Sequence, residues 1–182
     1  MKIPNSKRKK ALILVDIQPV FLNKSNRYIL KNIERLLRVG EYDFYINATF
    51  WAGKDSIWKK QTGWVVPKEE AETEVGILKL LKGKNVMHVT KHTKSVFNQH
   101  EDIGKVLKRK GIKEIHIVGL DTNDCVLGTT YDSFDRGFFT YVIEECVQSS
   151  DGNDMHKSAL KIMRNVNLTN NSVAEKIKFI NI

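Results

Sequence analysis

Two cysteines and three prolines are all that this 182-residue chain holds of either. Two thiols, Cys125 and Cys146, cannot make the disulfide framework of a small secreted domain, so a reducing, cytoplasmic compartment is expected. With so little proline and only 11 glycines, a collagen-like or long disordered part is excluded. Long hydrophobic runs are missing too: nothing approaches the ~18 apolar residues of a membrane helix. The basic start MKIPNSKRKK leads into ALILV, far too short for the apolar region of a signal peptide. No GxGxxG follows that first apolar run. Val15 is succeeded by Asp-Ile-Gln-Pro, so a dinucleotide fingerprint is absent. No repeat, low-complexity segment or linker divides the chain.

What is present is the composition of one folded domain, 41% apolar and 28% charged. A chain of this length buries roughly 70% of the surface its unfolded form exposes, enough to fold without disulfide or metal. The net charge of +9 is unevenly spread. Residues 1–10 carry Lys2, Lys7, Arg8, Lys9 and Lys10 and no acid. The excess is therefore a short basic tail, 1–10, ahead of a domain spanning 11–182, and not a basic face. Such a tail either attracts phosphate by counterion release or is a solvated terminus; nucleic acid is not an expected partner.

Apolar runs alternate with helical periodicity. Strands are predicted at Ala11–Ile17, Asp43–Ala48, Asn85–Thr90, Glu114–Leu120, Phe138–Ile143 and Lys176–Ile180. Helices are predicted at Tyr28–Leu37, Glu101–Lys110, Asn123–Arg136 and Asp154–Val166, the last with Asp154 as N-cap. Glu69–Lys82 reads as a short irregular helix and Thr49–Pro67 as a long Trp-, Gly- and Lys-rich loop. This alternation implies right-handed βαβ crossovers. The expected fold is a single-domain, Rossmann-like three-layer α/β/α architecture with a mostly parallel, about six-stranded sheet.

In such sheets ligands bind beyond the carboxyl ends of the strands. Three reactive side chains fall there: Asp16 after the first strand, Lys91 after Asn85–Thr90, and Cys125 after Glu114–Leu120. Cys125 would sit in the first turn of a helix, where exposed N–H groups and the helix dipole favour a thiolate. A thiolate attacks carbonyl carbon; Lys91 would add positive potential, and Asp16 could accept and return the proton. Each also has a plain structural reading: a buried small hydrophobe, a turn cap, a solvated lysine. Cys146, beside Glu144 and Glu145, reads as structural. His88 and His116 lie in strand runs and read as packed imidazoles; His100 and His156 read as surface positions.

Three motifs resemble the isochorismatase-like cysteine hydrolases, which include nicotinamidases and N-carbamoylsarcosine amidohydrolases. They are Asp16-x-Gln18-x-x-Phe21, Lys91-x-x-x-Ser95-x-Phe97, and Gly119-x-x-Thr122-x-x-Cys125-Val126 continuing through Thr130 to Gly137. The likeness spans about residues 10–165. It implies a catalytic triad of Asp16, Lys91 and Cys125 acting on a C–N bond of a small amide or ureide through a thioester. It also implies a non-proline cis peptide at Leu120–Asp121 and an oxyanion hole from the backbone N–H groups of Asp121 and Cys125. Phe21 would line the substrate pocket, together with Trp51 and Leu120. A homo-oligomer, dimer or tetramer, is implied as well.

The chain departs from the family in two places. Nicotinamidases carry an Asp-x-His metal motif after the second strand, where this chain reads Ala48-Thr-Phe-Trp51-Ala-Gly-Lys54. No metal and no cofactor are therefore expected. Asp121 stands where relatives usually have a small apolar residue; its carboxylate either faces the oxyanion or points away. Trp51, Trp58 and Trp64 either wall the pocket or anchor a core or subunit interface. The alternative to an amide hydrolase is a family member without catalysis, serving as a binding or scaffolding protein.

Overall fold

Side chains alternate strictly along β1 (Lys10–Val15): Ala11, Ile13 and Val15 enter one hydrophobic cluster, Leu12 and Leu14 another. A strand with both faces buried must lie inside a sheet covered on both sides. The computed structural model describes residues 8–99 and 102–169, with Ile177 and Phe179. In it β1 is the centre of a five-stranded sheet with β2 (Phe44–Phe50), β3 (Val86–Lys91), β4 (Glu114–Gly119) and β5 (Phe139–Val147). The order is β3-β2-β1-β4-β5, and every pairing is parallel.

One face is covered by α1 (Ile29–Val39) and α3 (Val75–Leu81), which bury Ile29, Ile33, Leu36, Ile77 and Leu81. The other is covered by α4 (Ile103–Arg109) and α6 (Asn153–Asn165), through Ile103, Leu107, Leu160 and Met163. Each such buried aliphatic side chain is worth about 1.5–3 kcal/mol relative to exposure. The α/β/α expectation is met, with five strands in place of about six among the described residues. The strand predicted at 176–180 falls outside them except for Ile177 and Phe179, and the latter is buried. Of the basic tail, residues 1–7 are likewise outside; β1 takes in Lys10, and Arg8 lies 3.4 Å from Glu114. No helix among the described residues is long and apolar enough to cross a membrane.

Several local expectations are revised. The 49–67 loop contains a short helix, α2 (Ile57–Thr62), started by the Ser56 side chain and stopped by Gly63 at φ 79°. Its base is pinched by an antiparallel bridge between Ala52 and Val66. Gly152, not Asp154, caps α6. His88 is exposed, because β3 is an edge strand. His156, expected at the surface, is buried against Thr122. His116 is buried as expected, bonded to Tyr42 at 2.8 Å and Glu114 at 3.0 Å.

Candidate active site

The strand order reverses between β1 and β4, and crevices at such switch points take ligands. Here the two strands run unusually close. Gly119 has φ +118°, and a Cβ on it would lie 2.0 Å from the Val15 carbonyl oxygen. Only glycine fits that approach. Next to it, Asp16 holds φ 50°, a left-handed conformation rare for a non-glycine residue and often found at functional positions. The Leu120–Asp121 peptide is cis. Thr122–Val126 then forms a π-turn, in which Val126 N–H donates to the Asp121 carbonyl at 3.1 Å, before α5 (Leu127–Asp135) begins.

Three segments thus converge. Lys91 is the last residue of β3, two strands away from β1, roughly 10 Å at sheet spacing. Its long side chain crosses that gap. Lys91 Nζ lies 2.6 Å from Asp16 Oδ2, donates to Cys125 Sγ at 3.2 Å, and reaches the Thr93 carbonyl at 3.1 Å. All three side chains are buried, Lys91 completely. The Cys125 thiol also hydrogen-bonds the Asp16 carboxyl.

Burial raises the carboxyl of Asp16 above its ordinary range, opposed by Lys91 and the Cys125 thiol. Burial also works against the Lys91 ammonium, but the Asp16 carboxyl first, and the hydrogen bonds to Asp16 and Cys125, outweigh it and raise the Lys91 pKa. The Cys125 thiol is pushed well up, by burial first and by the Asp16 charge next. This corrects the expectation of a ready thiolate: the residue sits in an enclosed π-turn and not in an open helical first turn. Burial thus opposes charge on the sulfur, and the three groups titrate as one coupled set.

A cavity of about 310 Å³ opens onto Asp16 and Cys125, within the range of small-molecule sites. Phe21, Phe50, Trp58 and Trp64 form its apolar wall. Their rings meet edge-on, Phe21 with Trp64 at 5.7 Å and Phe50 with Trp58 at 5.1 Å. The rest of the lining is polar: Asp121, Asp124, Ser150 and Asp151. Trp51 and Leu120, expected in the pocket, do not line it. Trp51 packs on His92 with centroids 4.8 Å apart, and Leu120 is buried in the core. Trp58 and Trp64 take that place, a distinction that three tryptophans in a weakly periodic loop do not signal.

The Asp121 carboxylate turns to Ser150, whose N–H and Oγ each donate to it at 2.7 Å. Its pKa is pushed up to about 6, by burial and then by Asp151 and Asp124, against the Ser150 hydrogen bonds. Gln18, the middle residue of the first motif, has a structural task that the motif alone does not reveal. Its buried amide accepts from Phe50 N–H at 2.6 Å and donates to the carbonyls of Phe50 and Glu70, both at 3.0 Å. It ties the cavity's aromatic wall to β1. Cys146 is fully buried in the core, its thiol pushed up by burial and Glu145.

A family profile described as an isochorismatase domain matches residues 10–175. The chain belongs to the isochorismatase family. It is similar to the nicotinamidase/pyrazinamidase of Bacillus subtilis at 25% identity and TM-score 0.71, over 86% of this chain and 95% of that one. The pyrazinamidase of Pyrococcus horikoshii, solved in complex with zinc, shares the fold at 24% identity and TM-score 0.68, over 86% and 95%. So does the N-carbamoylsarcosine amidase of Thermoplasma acidophilum, at 19% and 0.72, over 88% and 94%. No curated protein sequence matches.

Among the described residues, those of this isochorismatase-family chain do not fit a metal of that kind. Among the described residues no group of three or more His, Cys, Asp or Glu could hold one. Where the motif would fall, Trp51 offers an indole, and its carbonyl bonds His92 Nδ1 at 2.9 Å.

Proposed function

We propose that this protein is a metal-independent cysteine hydrolase that cleaves a C–N bond of a small amide or ureide through a thioester on Cys125. The observation that carries the reading is a single ammonium in bonding distance of both a buried carboxylate and a buried sulfur, with that sulfur facing a small-molecule cavity.

The chemistry follows from the charges. Sγ attacks the amide carbonyl as Asp16 takes the thiol proton. Lys91 stays positive and close to whichever neighbour is anionic, so the proton moves without leaving an unpaired buried charge. The backbone N–H groups of Asp121 and Cys125 hold the oxyanion of the tetrahedral intermediate. Asp16 returns its proton to the departing amine, and the C–N bond breaks. Asp16 then takes a proton from water, which adds to the thioester; the acid leaves and the thiol is restored.

The reading includes a cytoplasmic protein with free thiols and assembly into a homo-oligomer. An exposed apolar face carrying Phe134, Phe139, Ile162 and Val166 supports the latter. The test is turnover of a panel of small primary amides and ureides by the wild type, Cys125→Ala and Asp16→Asn. Hydrolysis by the wild type and its loss in both variants is expected. Unchanged hydrolysis by Cys125→Ala would refute the proposal, and a wild type that binds amides without cleaving them would leave a binding protein.

A further inference from the structure

The charges around the cavity do not balance. Lys91 answers Asp16, and Lys94 answers Asp124 as an ion pair while its ammonium lies 3.8 Å from the centre of the Trp58 ring. Among the described residues, Asp121 and Asp151 have no ion-pair partner. Asp121 is held by Ser150 and Asp151 by the Asn123 amide at 2.8 Å. These are neutral donors that fix the carboxylates in place and leave their charge. Asp121 feels Asp151 as a like charge. Four aromatic rings line the same cavity, and aromatic faces favour cations, as Lys94 over Trp58 shows. Within the same cavity the carboxylate of Asp16, only 1% exposed, is already taken up by Lys91 and the Cys125 thiol.

We infer that this cleft selects amides whose far end carries a cation, an ammonium or guanidinium held between the carboxylates of Asp121 and Asp151 and the rings of Trp58 and Trp64. The inference rests on the amide-hydrolase reading for where the substrate's carbonyl goes. A carboxylate-bearing amide would meet uncompensated negative charge and be rejected. A neutral amide would gain the aromatic wall alone. Asp121 ionises at about 6, so its carboxylate is charged at neutral pH.

The experiment uses three amides of nearly equal length: 5-aminopentanamide, pentanamide and 5-amino-5-oxopentanoate, cationic, neutral and anionic. Each is titrated calorimetrically into full-length Cys125→Ala at pH 7.5, with no turnover to interfere. The cationic amide is expected to bind about tenfold tighter than the neutral one, and the anionic one most weakly. The preference shrinks as salt rises from about 0.05 M to about 0.5 M. Asp121→Asn and Asp151→Asn, each in the Cys125→Ala background, reduce it about threefold. The second variant keeps the test sharp if the first perturbs the Ser150 turn. Equal or weaker binding of the cationic amide, binding by none of the three, or a preference untouched by both variants overturns the inference. Hydrolysis by the wild type is read separately. Selective binding without cleavage would sink the hydrolase reading alone, and cleavage without charge preference would sink this one alone.

Discussion

Lys91 and Cys125, 34 residues apart in the chain, share a hydrogen bond of 3.2 Å from Nζ to Sγ at the place where the sheet changes direction. Lys91 is completely buried and Cys125 nearly so. An ammonium has no reason to be there except to answer negative charge, and two candidates for that charge, Asp16 and the sulfur, are both in reach.

Lys91→Met keeps the length of the side chain and removes its charge. Asp16 is then a buried carboxylate without a counter-ion. Breaking a buried pair from one side costs about 3–5 kcal/mol, and that loss is expected in urea unfolding at pH 8. It should be smaller at pH 5, because Asp16, already pushed up by burial, escapes by protonation. Equal loss at both pH values would mean that packing and not charge holds the lysine.

The thiol should be slow to alkylate near neutrality. Burial pushes the Cys125 thiol well up, so its thiolate fraction stays small even at about pH 8.5, where a free cysteine is half ionised. Iodoacetamide labelling of the Cys125 peptide is expected to climb without a plateau up to about pH 9. Asp16→Asn removes a negative neighbour while Lys91 remains, so it lowers the thiol pKa and speeds labelling at pH 7. A slower rate in that variant would contradict the charge assignment.

Asp121 supplies a pH signature. Its folded value of about 6 lies above that of a free aspartate, so its charge fades as pH falls through 6. The ratio of affinities for cationic and neutral amides cancels groups common to both. That ratio should fall as pH drops from about 7.5 to about 5 and be nearly flat in Asp121→Asn. A ratio that rises on acidification would place the charge elsewhere.

Gly119→Ala would set a methyl group 2.0 Å from the Val15 carbonyl oxygen at φ +118°. Backbone cannot yield as a side-chain tip can. A loss of about 4 kcal/mol or more in urea unfolding is expected, and a near-neutral effect would mean that β1 and β4 separate more easily than their register implies.

Much of this was legible before any coordinates. Runs such as ALILV and EIHIVG, buried on both faces, have no stable home except a covered parallel sheet. Strand ends then bring Asp16, Lys91 and Cys125 to one rim. What was not legible depended on contacts between distant residues. The bridge from Ala52 to Val66 decides that Trp58 and Trp64, and not Trp51, face the cavity. The edge position of β3 exposes His88, and the packing of α6 on the π-turn buries His156. The ionisation of Cys125 was misjudged because a local rule about helix starts was outweighed by enclosure, which the local sequence does not record.

The central claim is a covalent bond to one sulfur. Rapid acid quench of wild-type protein during turnover of a cleaved amide, followed by intact and peptide mass spectrometry, reads it directly. The account predicts an added mass equal to the acyl group, confined to the Cys125 peptide, removed by hydroxylamine and absent in Cys125→Ala. Turnover with no such adduct, and with undiminished rate in Cys125→Ala, would contradict it.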